Sequence, residues 1–444
     1  MSPKIKKISN FFLDKKLIAN DISIEKLFEI KKNFKLHGKI ACFPDLNFKI
    51  KNYVPSGTAI QLKDEFAPIL LGNSNDAISI IKISLKKPLS NIDINYFFKT
   101  FRKKISIFRR DNYEIDVKSA QDILLNGIKN KITEWGFEKK DLKKFRNRGY
   151  AKTFKNITDL KKNFPKKRPK YLGSHILTSD IIKSSRKSLG VLDGTSHFLE
   201  LYKFNSATNQ KYVKELQIKE KDYFIVIHAG SADPGLIIHQ YLLNLKKKSF
   251  SIKNKLGKRL LYLHNSTVNF GFANRLYMMK IIKDEFKKKF SNDVKVEIFN
   301  DNEHDFLDFD QKKRIFTHRK GAVKILPGKK GDWKKTGEPY FMPTYVGGNG
   351  YILTNFKGNK KSFFCTSHGV GRMYDKIETL KRFSNLDFKK SLENKIKLFR
   401  YGKDKIKSQN PKAFKKTNLV LKSFKKFNLA YPICSLKPIA SLKA

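Results

Sequence analysis

Cysteine is scarce in this 444-residue chain. Its three copies, Cys42, Cys365 and Cys434, lie far apart and form no CxxC pair. That spacing argues against a disulfide framework and fits a reducing compartment. Acidic side chains are also few, 40 against 94 lysines and arginines. No apolar run approaches the roughly 18 residues a membrane helix needs. The opening stretch MSPKIKKISNFF has no apolar centre long enough for a signal peptide, so a cytoplasmic protein without a membrane partner is expected. Walker loops and GxGxxG turns are absent, which leaves the common phosphate-binding folds without support. No internal repeat and no low-complexity linker interrupts the chain.

What is present is positive charge. The formal net charge of +54 favours a polyanionic partner, and nucleic acid is the usual one. A lysine-rich composition spread over solvated faces produces the same number, and the two readings are compatible. Hydrophobic residues at 40 % and 37 phenylalanines give globular rather than disordered composition. The length suffices for a real core, in one large domain or a few average ones.

Along the chain, SIEKLFEIKKNFK has helical periodicity, and the region from KIACFPDLNFKI to ISIIKISL reads as strands broken by Pro, Gly and Asn. Residues from about 115 to 190 read as mostly helical and very basic. This block is either an arm for RNA phosphates or a solvated helical insertion. Beyond it, PGLIIHQYLLNLKKK starts a helix with proline near its first turn. STVNFGFANRLYMMKIIKDEFKKKF is a long amphipathic helix that Ser266 or Thr267 is placed to cap, with His264 preceding it. VKVEIF, RIFTHRKGAVKIL, GYILTNF and KSFFCTS read as strands. Helices and strands mix without a βαβ rhythm, which predicts a single α+β domain spanning 1–444.

Chemistry concentrates in the histidines. Five of the nine, His197, His228, His304, His318 and His368, stand at strand-to-loop edges beside Gly, Ser, Asn or Asp. A lone histidine is usually structural, but several in this setting point to a metal or phosphate site. Imidazole suits Mn, Zn or Fe, and carboxylates add preference for Mn or Mg. A metal on His197, His228 and His304 would offset the charge of a triphosphate. In FFCTSHGVGR the glycines let backbone N–H groups approach a phosphate, and Arg372 can fork onto its oxygens. The imidazole of His368 is placed to attack phosphorus and become a covalent carrier. His318 could line a cleft, whereas His37, His175, His239 and His264 suit structural or surface roles. Asn274 and Arg275 of FANR are expected to support the site.

The segments GTSHFLEL, IHAGSADPGLIIHQ, NFGFANR, HRKGAVKILPG, YVGGNG, TSHGVGR and LKPIASLK occur in this order. Together they resemble the RtcB family of RNA-splicing ligases, from about residue 40 to the C-terminus and least clearly over 85 to 185. The resemblance implies that family's mixed α/β fold with a central active-site cleft, here with a basic helical insertion. It implies manganese and GTP as cofactors and RNA, such as tRNA halves or cleaved RNA, as partner; a monomer is expected. The implied reaction joins a 3′-phosphate or 2′,3′-cyclic phosphate end to a 5′-hydroxyl end, in tRNA splicing or RNA repair. A histidine is guanylylated by GTP, the GMP passes to the RNA 3′-phosphate, and the 5′-hydroxyl displaces it. By motif, His368 matches that nucleophile. His197 and His228 match metal ligands, with His304 as the third and Asn302 as its rival. Ser196, Glu200, Asn349, Gly369, Gly371, Arg372 and Lys443 fall at cofactor-binding positions. Lys443 is expected to reach the nucleotide as a flexible ammonium near the chain end.

The sequence departs from the family in several places. The family has a PDxHxGxG run and an Asp-x-x-Cys that supplies a carboxylate and a bridging thiolate to the metal. Here Asn47 stands at the first histidine position. Aligning APILLGNSNDAIS without gaps puts Ser74 and Ala77 at the Asp and Cys positions, whereas a two-residue shift puts Asp76 and Ser79 there. Asp76 completes the candidate metal set. The Asn before the first ligand histidine is Ser196, and a loop arginine is Ala232. An RNA-binding homologue that has lost ligation is the alternative reading, and a metal-dependent phosphoesterase or nucleotidyltransferase is a third.

Overall fold

The computed structural model describes residues 7–18, 22–47, 53–72, 74–108, 110–163, 181–194, 196–328, 333–392, 395–401 and 406–443. Twelve strands form one sheet: β1 (Ser9–Phe11), β2 (Ile40–Asn47), β3 (Ser56–Lys63), β4 (Asp76–Leu85), β5 (Phe198–Ala207), β6 (Tyr223–Ala229), β7 (Val294–Asp310), β8 (Ile315–Lys320), β9 (Tyr340–Met342), β10 (Gly350–Thr354), β11 (Lys397–Arg400) and β12 (Tyr431–Lys443). Their order is β1-β2-β3-β8-β7-β4-β6-β5-β12-β10-β9, with β11 beside β12. Only β1–β2 and β11–β12 pair in parallel. The fold is therefore a mixed α/β domain built on a largely antiparallel sheet, as the absence of βαβ rhythm predicts.

The middle of the sheet follows from sequence. β4 reads DAISIIKISL, with isoleucine at four of ten positions, and all but one of its residues are buried. Such a run belongs to a strand covered on both faces. One face packs on the helices α1 (Asn91–Lys104), α2 (Ala232–Asn244) and α3 (Lys255–Phe290). In that core Phe97 of α1 lies flat on Phe286 of α3, ring centroids 4.0 Å apart.

The long helix begins a full three turns before the expected cap. Asn254 caps it by accepting the Gly257 N–H at 2.8 Å. Ser266 and Thr267 lie inside, their hydroxyls turned back on the Leu263 and His264 carbonyls. His264 is thus a mid-helix residue. A weakly amphipathic first stretch, KLGKRLLYLHN, hid this start; it is helical because Leu260, Leu261 and Leu263 reach the core.

The basic stretch contains helices Val117–Asn126, Lys131–Glu134, Ile157–Asn163 and Ile181–Ser188. Its apolar face joins the main core through Ile123, Leu124, Ile128 and Ile132, all fully buried. Asn269 of α3 locks it, accepting the Ala151 N–H and donating to the Leu124 and Ala151 carbonyls. Part of its charge is internal: Arg146 donates to Glu303 at 2.7 Å and lies 3.3 Å from Glu338. His175 lies outside the described residues. Among the described residues, no helix is long and apolar enough to cross a membrane.

Candidate active site

Strand register assembles the site. β4, β6, β5 and β7 are neighbours, and His228 on β6 sits opposite both Ile78 on β4 and Phe198 on β5. His197 immediately precedes Phe198. Asp76 opens β4 across from Asp305 of β7, next to His304. Lys443 on β12 pairs with Phe198. A cleft of about 210 Å³ opens over these strand ends. Its lining includes Asp76, His228, His304, His368, Arg372 and Lys443, with Ser196, Glu200, Gly369 and Gly371 at its walls.

Four donors converge at its base. His197 Nε2 lies 3.1 Å from Asp76 Oδ1, and His228 Nε2 lies 4.0 Å from the same oxygen. His228 and His304 face each other through their Nε2 atoms at 3.2 Å. Asp76, His197 and His228 bring their ligand atoms within 4.8 Å of one another, and all are buried. Burial, reinforced by neighbouring positive groups, pushes His228 and His304 well below the usual imidazole range. Their Nε2 lone pairs are therefore available as metal donors. His197 is held differently: burial lowers its pKa, but the Asp76 carboxylate outweighs this and raises it to about 9. His197 Nδ1 donates to the Leu192 carbonyl at 2.7 Å, which aims Nε2 at Asp76. Three imidazoles and a carboxylate, buried and mutually oriented, fit a divalent cation, whose arrival would displace the His197 proton.

His304 rather than Asn302 joins this cluster. Asn302 points to Glu338, 3.4 Å away. Of the two alignments around residue 76, the geometry matches the shifted one. Asp76 lies among the histidines, whereas Ser74 faces His264 at 3.5 Å. Ser79 donates its hydroxyl to Asp301, away from the donors.

The backbone under the donors is braced from α3. Arg275 is fully buried, with Nε 2.7 Å and Nη2 2.8 Å from the two oxygens of Asp301. Its Nη1 donates to the carbonyls of Asn75 and Ala229, which adjoin Asp76 and His228. Asn274 ties Gly190 and Val191 to the Gly230 carbonyl. The FANR pair therefore supports the site from inside the core.

His368 follows the short strand Cys365–Ser367, which pairs with Ala322–Lys324. Its ring stacks on His304, centroids 4.5 Å apart and 18° off parallel. Nδ1 lies 2.7 Å from Asp45 Oδ2 and 3.0 Å from the Gly321 carbonyl. In the neutral ring Nδ1 is thus the protonated nitrogen and Nε2 carries the lone pair. Burial lowers the pKa of this imidazole, but Asp45 and Asp305 reverse the sign and raise it. Asp45 was not singled out in the sequence, although it stands in FPDLNF. The signal was its place as the Asp of the run aligned with the family's PDxHxGxG; its partner lies 323 positions away.

Two glycines make this contact possible. Gly371 has φ +76°, and a Cβ there would sit 2.7 Å from Asp45 Cα. Gly321 has φ +60°, and a Cβ would meet Ser56 Oγ and Gly57 N. Asp305, also missed, accepts the Gly321 N–H at 2.7 Å and pairs with Lys320. Asn47 donates to the Arg372 carbonyl at 2.9 Å. Behind them Lys415 is buried and donates to the carbonyls of Pro44 and Leu46 at 2.8 and 2.7 Å, gripping both neighbours of Asp45. Burial, partly opposed by Asp45, pulls its ammonium to about 7.

The remaining candidates separate. Lys443 is a strand residue, buried, with Nζ 4.8 Å from the Phe198 ring centre; it is not a flexible tail. Glu200 accepts the hydroxyls of Tyr202 and Ser441 at 2.5 and 2.8 Å. Arg372 donates Nε to the Tyr374 carbonyl, and Nη2 to Thr379 Oγ1 and the Ser408 carbonyl. Only Nη1 is left for a ligand among the described residues. Asn349 lies at an exposed turn and does not line the cleft. His318 does structural work, accepting the Ala67 N–H at 3.0 Å.

A family model described as tRNA-splicing ligase RtcB matches residues 35–444. The chain belongs to the RtcB family. Among curated relatives, tRNA-splicing ligase RtcB of Nanoarchaeum equitans is 24 % identical over 60 % of this chain and 62 % of its own. The Methanocaldococcus jannaschii protein of the same name is 22 % identical over 83 % of this chain and 40 % of its own. RNA-splicing ligase RtcB homolog 1 of Entamoeba dispar is 25 % identical over 58 % and 53 %. The chain thus spans roughly 40 to 62 % of these relatives' lengths. As an RtcB family member it is divergent: Ser79 stands where the shifted alignment puts the family's thiolate, and the three cysteines are buried elsewhere.

Proposed function

We propose that this protein is an RNA ligase that joins 3′-phosphate or 2′,3′-cyclic phosphate ends to 5′-hydroxyl ends through a guanylylated His368, with GTP and manganese. The observation that carries this reading is the His368 imidazole, whose Nδ1 is committed to Asp45 and Gly321 while Nε2 stays available beside four metal donors. An orienting carboxylate behind a nucleophilic imidazole fixes its tautomer and stabilises the positive ring formed on attack.

Nε2 of His368 attacks the α-phosphorus of GTP; the N–P bond forms as the bond to the departing pyrophosphate breaks. A 2′,3′-cyclic end is first opened by water, which breaks the bond to O2′ and leaves a 3′-phosphate; an oxygen of the RNA 3′-phosphate then takes the GMP, returning the electron pair to Nε2. The 5′-hydroxyl oxygen finally attacks the activated 3′-phosphate, GMP leaves, and a phosphodiester remains. Asp76, His197, His228 and His304 would hold manganese, which supplies charge neutralisation at the phosphate oxygens. Gly369 and Gly371 allow close approach to the nucleotide phosphate, Arg372 offers Nη1, and Lys443 with Glu200 and Ser196 borders the remaining nucleotide space.

The test is ligation of a 3′-phosphate RNA to a 5′-hydroxyl RNA with GTP and manganese. Joined product that disappears on chelation or on omitting GTP is expected. RNA binding without any product would replace this reading with that of a non-ligating homologue.

A further inference from the structure

A second concavity lies along the β7–β8 hairpin, and none of its lining residues belongs to the cleft. Two hollows of about 980 and 880 Å³ meet at Asn147 and Phe309, which line both. One wall is the basic segment between Lys143 and Lys152; the other runs along the hairpin from Phe306 to Thr317. The two volumes lie within the range of ordinary ligand sites, about 300–1,000 Å³ each.

Positive charge predominates in this groove. Nine lysines and arginines line it against three carboxylates, Asp308, Asp310 and Glu338. Glu338 pairs with Arg146 at 3.3 Å, and Asp308 with Arg319 at 2.7 Å and Lys324 at 3.4 Å, so Arg146 and Lys324 of the nine are spent inside the protein as well. The second hollow has four cations and no carboxylate in its lining. Asp64, outside it, pairs with Lys253 and Arg314; Lys152 and Lys258 are exposed. Lys313 and Lys360 are exposed in the first hollow.

Aromatic rings interleave with these lysines. Phe309 is half-buried, one face against Phe316 at 4.3 Å, and its other side fronts the junction of the hollows. Trp333 stands in the first hollow and Tyr150 and Tyr262 in the second; Lys144 covers one face of Trp333 at 4.1 Å and Lys129 one face of Tyr150 at 3.7 Å, which leaves each a single face for a base. Cations that follow a backbone and ring faces that stack bases are what an unpaired strand requires. A duplex hides its base faces and would leave the rings unused.

We propose that this groove binds single-stranded RNA, with lysines on both walls contacting phosphates and Tyr150, Phe309 and Trp333 offering stacking faces. The choice of RNA over DNA rests on the proposed ligase reading; the groove's preference for a single strand does not. Lying outside the cleft, it would hold a substrate strand away from the reacting ends and add affinity independent of GTP and metal.

The test uses the full chain carrying His368→Ala, without GTP or metal, so that failure of ligation does not enter. Anisotropy reads binding of a labelled oligouridine of about twelve nucleotides across a salt series. Lys152→Glu, Lys258→Glu, Lys313→Glu and Lys360→Glu together should weaken binding at least tenfold. The slope of log affinity against log salt should fall by about 0.7 per lysine. Tyr150→Ala should weaken the single strand about tenfold and leave a duplex of equal length unchanged. A matched reversal at Lys219, Lys221, Lys389 and Lys390 should have little effect, and thermal unfolding checks that each variant folds. Equal losses from the two quadruple variants would overturn the proposal. So would equal affinity for the duplex, or displacement of RNA by polyglutamate, the mark of an acidic protein partner.

Discussion

Asp45 and His368, 323 residues apart, meet with Oδ2 2.7 Å from Nδ1. In the proposed mechanism this contact decides which imidazole nitrogen attacks. Asn at position 45 keeps the shape but removes the charge that stabilises the ring on attack. Asp45→Asn should therefore lower the rate of guanylate transfer to the protein by about 10²-fold or more, with folding intact. Single-turnover labelling checks this; an unchanged rate would show that Nδ1 needs no carboxylate.

Asp76, His197 and His228 form the group suited to a metal among the described residues, with His304 against His228. Ser79, held by Asp301, contributes nothing to it. The purified protein should bind about one ion per chain, through nitrogen and oxygen only. Elemental analysis after dialysis checks the count, and His228→Ala should remove the ion. Two ions per chain, or retention in His228→Ala, would contradict this ligand set.

Arg275 and Asp301 are both fully shielded from water. Arg275→Met strands a buried carboxylate and should cost about 3–5 kcal/mol in urea unfolding. The exposed Arg382–Glu378 pair, 2.7 Å apart, is the comparison; Arg382→Met should cost less than about 1 kcal/mol. Equal costs would mean that Arg275 does not brace the strands.

His264 and His318 are buried, and burial pushes each down to about 3. Both values lie below the unfolded pKa of about 6.5, so the unfolded chain binds protons that the folded one refuses. Their contribution is complete above about pH 6.5 and is lost progressively as pH falls toward 3. Each should add about 1.4 kcal/mol of destabilisation per pH unit between pH 6 and 4. His264→Gln should reduce the measured slope by one such increment; an unchanged slope would place the titration elsewhere.

Much of this was legible in the sequence. The α+β character followed from strands and helices without βαβ order. His197, His228, His304 and His368 announced themselves as histidines at strand ends, and register brings all four together. What could not be read was pairing between distant segments. Asp45 and Asp305 are ordinary acidic residues until folding sets them against His368 and Gly321. Asp76 against Ser74 was undecidable without strand pairing to fix the register. The start of α3 was misplaced because a helix buried by tertiary contacts needs only a weak apolar stripe. Lys443 looked free because it lies near the chain end, yet pairing of β12 with β5 makes it a fixed wall of the cleft.

The most direct measurement is the covalent one. The protein is incubated with manganese and GTP labelled at the α-phosphate, then digested and mapped by mass spectrometry. An acid-labile guanylate on the His368 peptide, absent in His368→Ala, is the predicted result. No adduct, or an adduct that survives His368→Ala, would contradict the account.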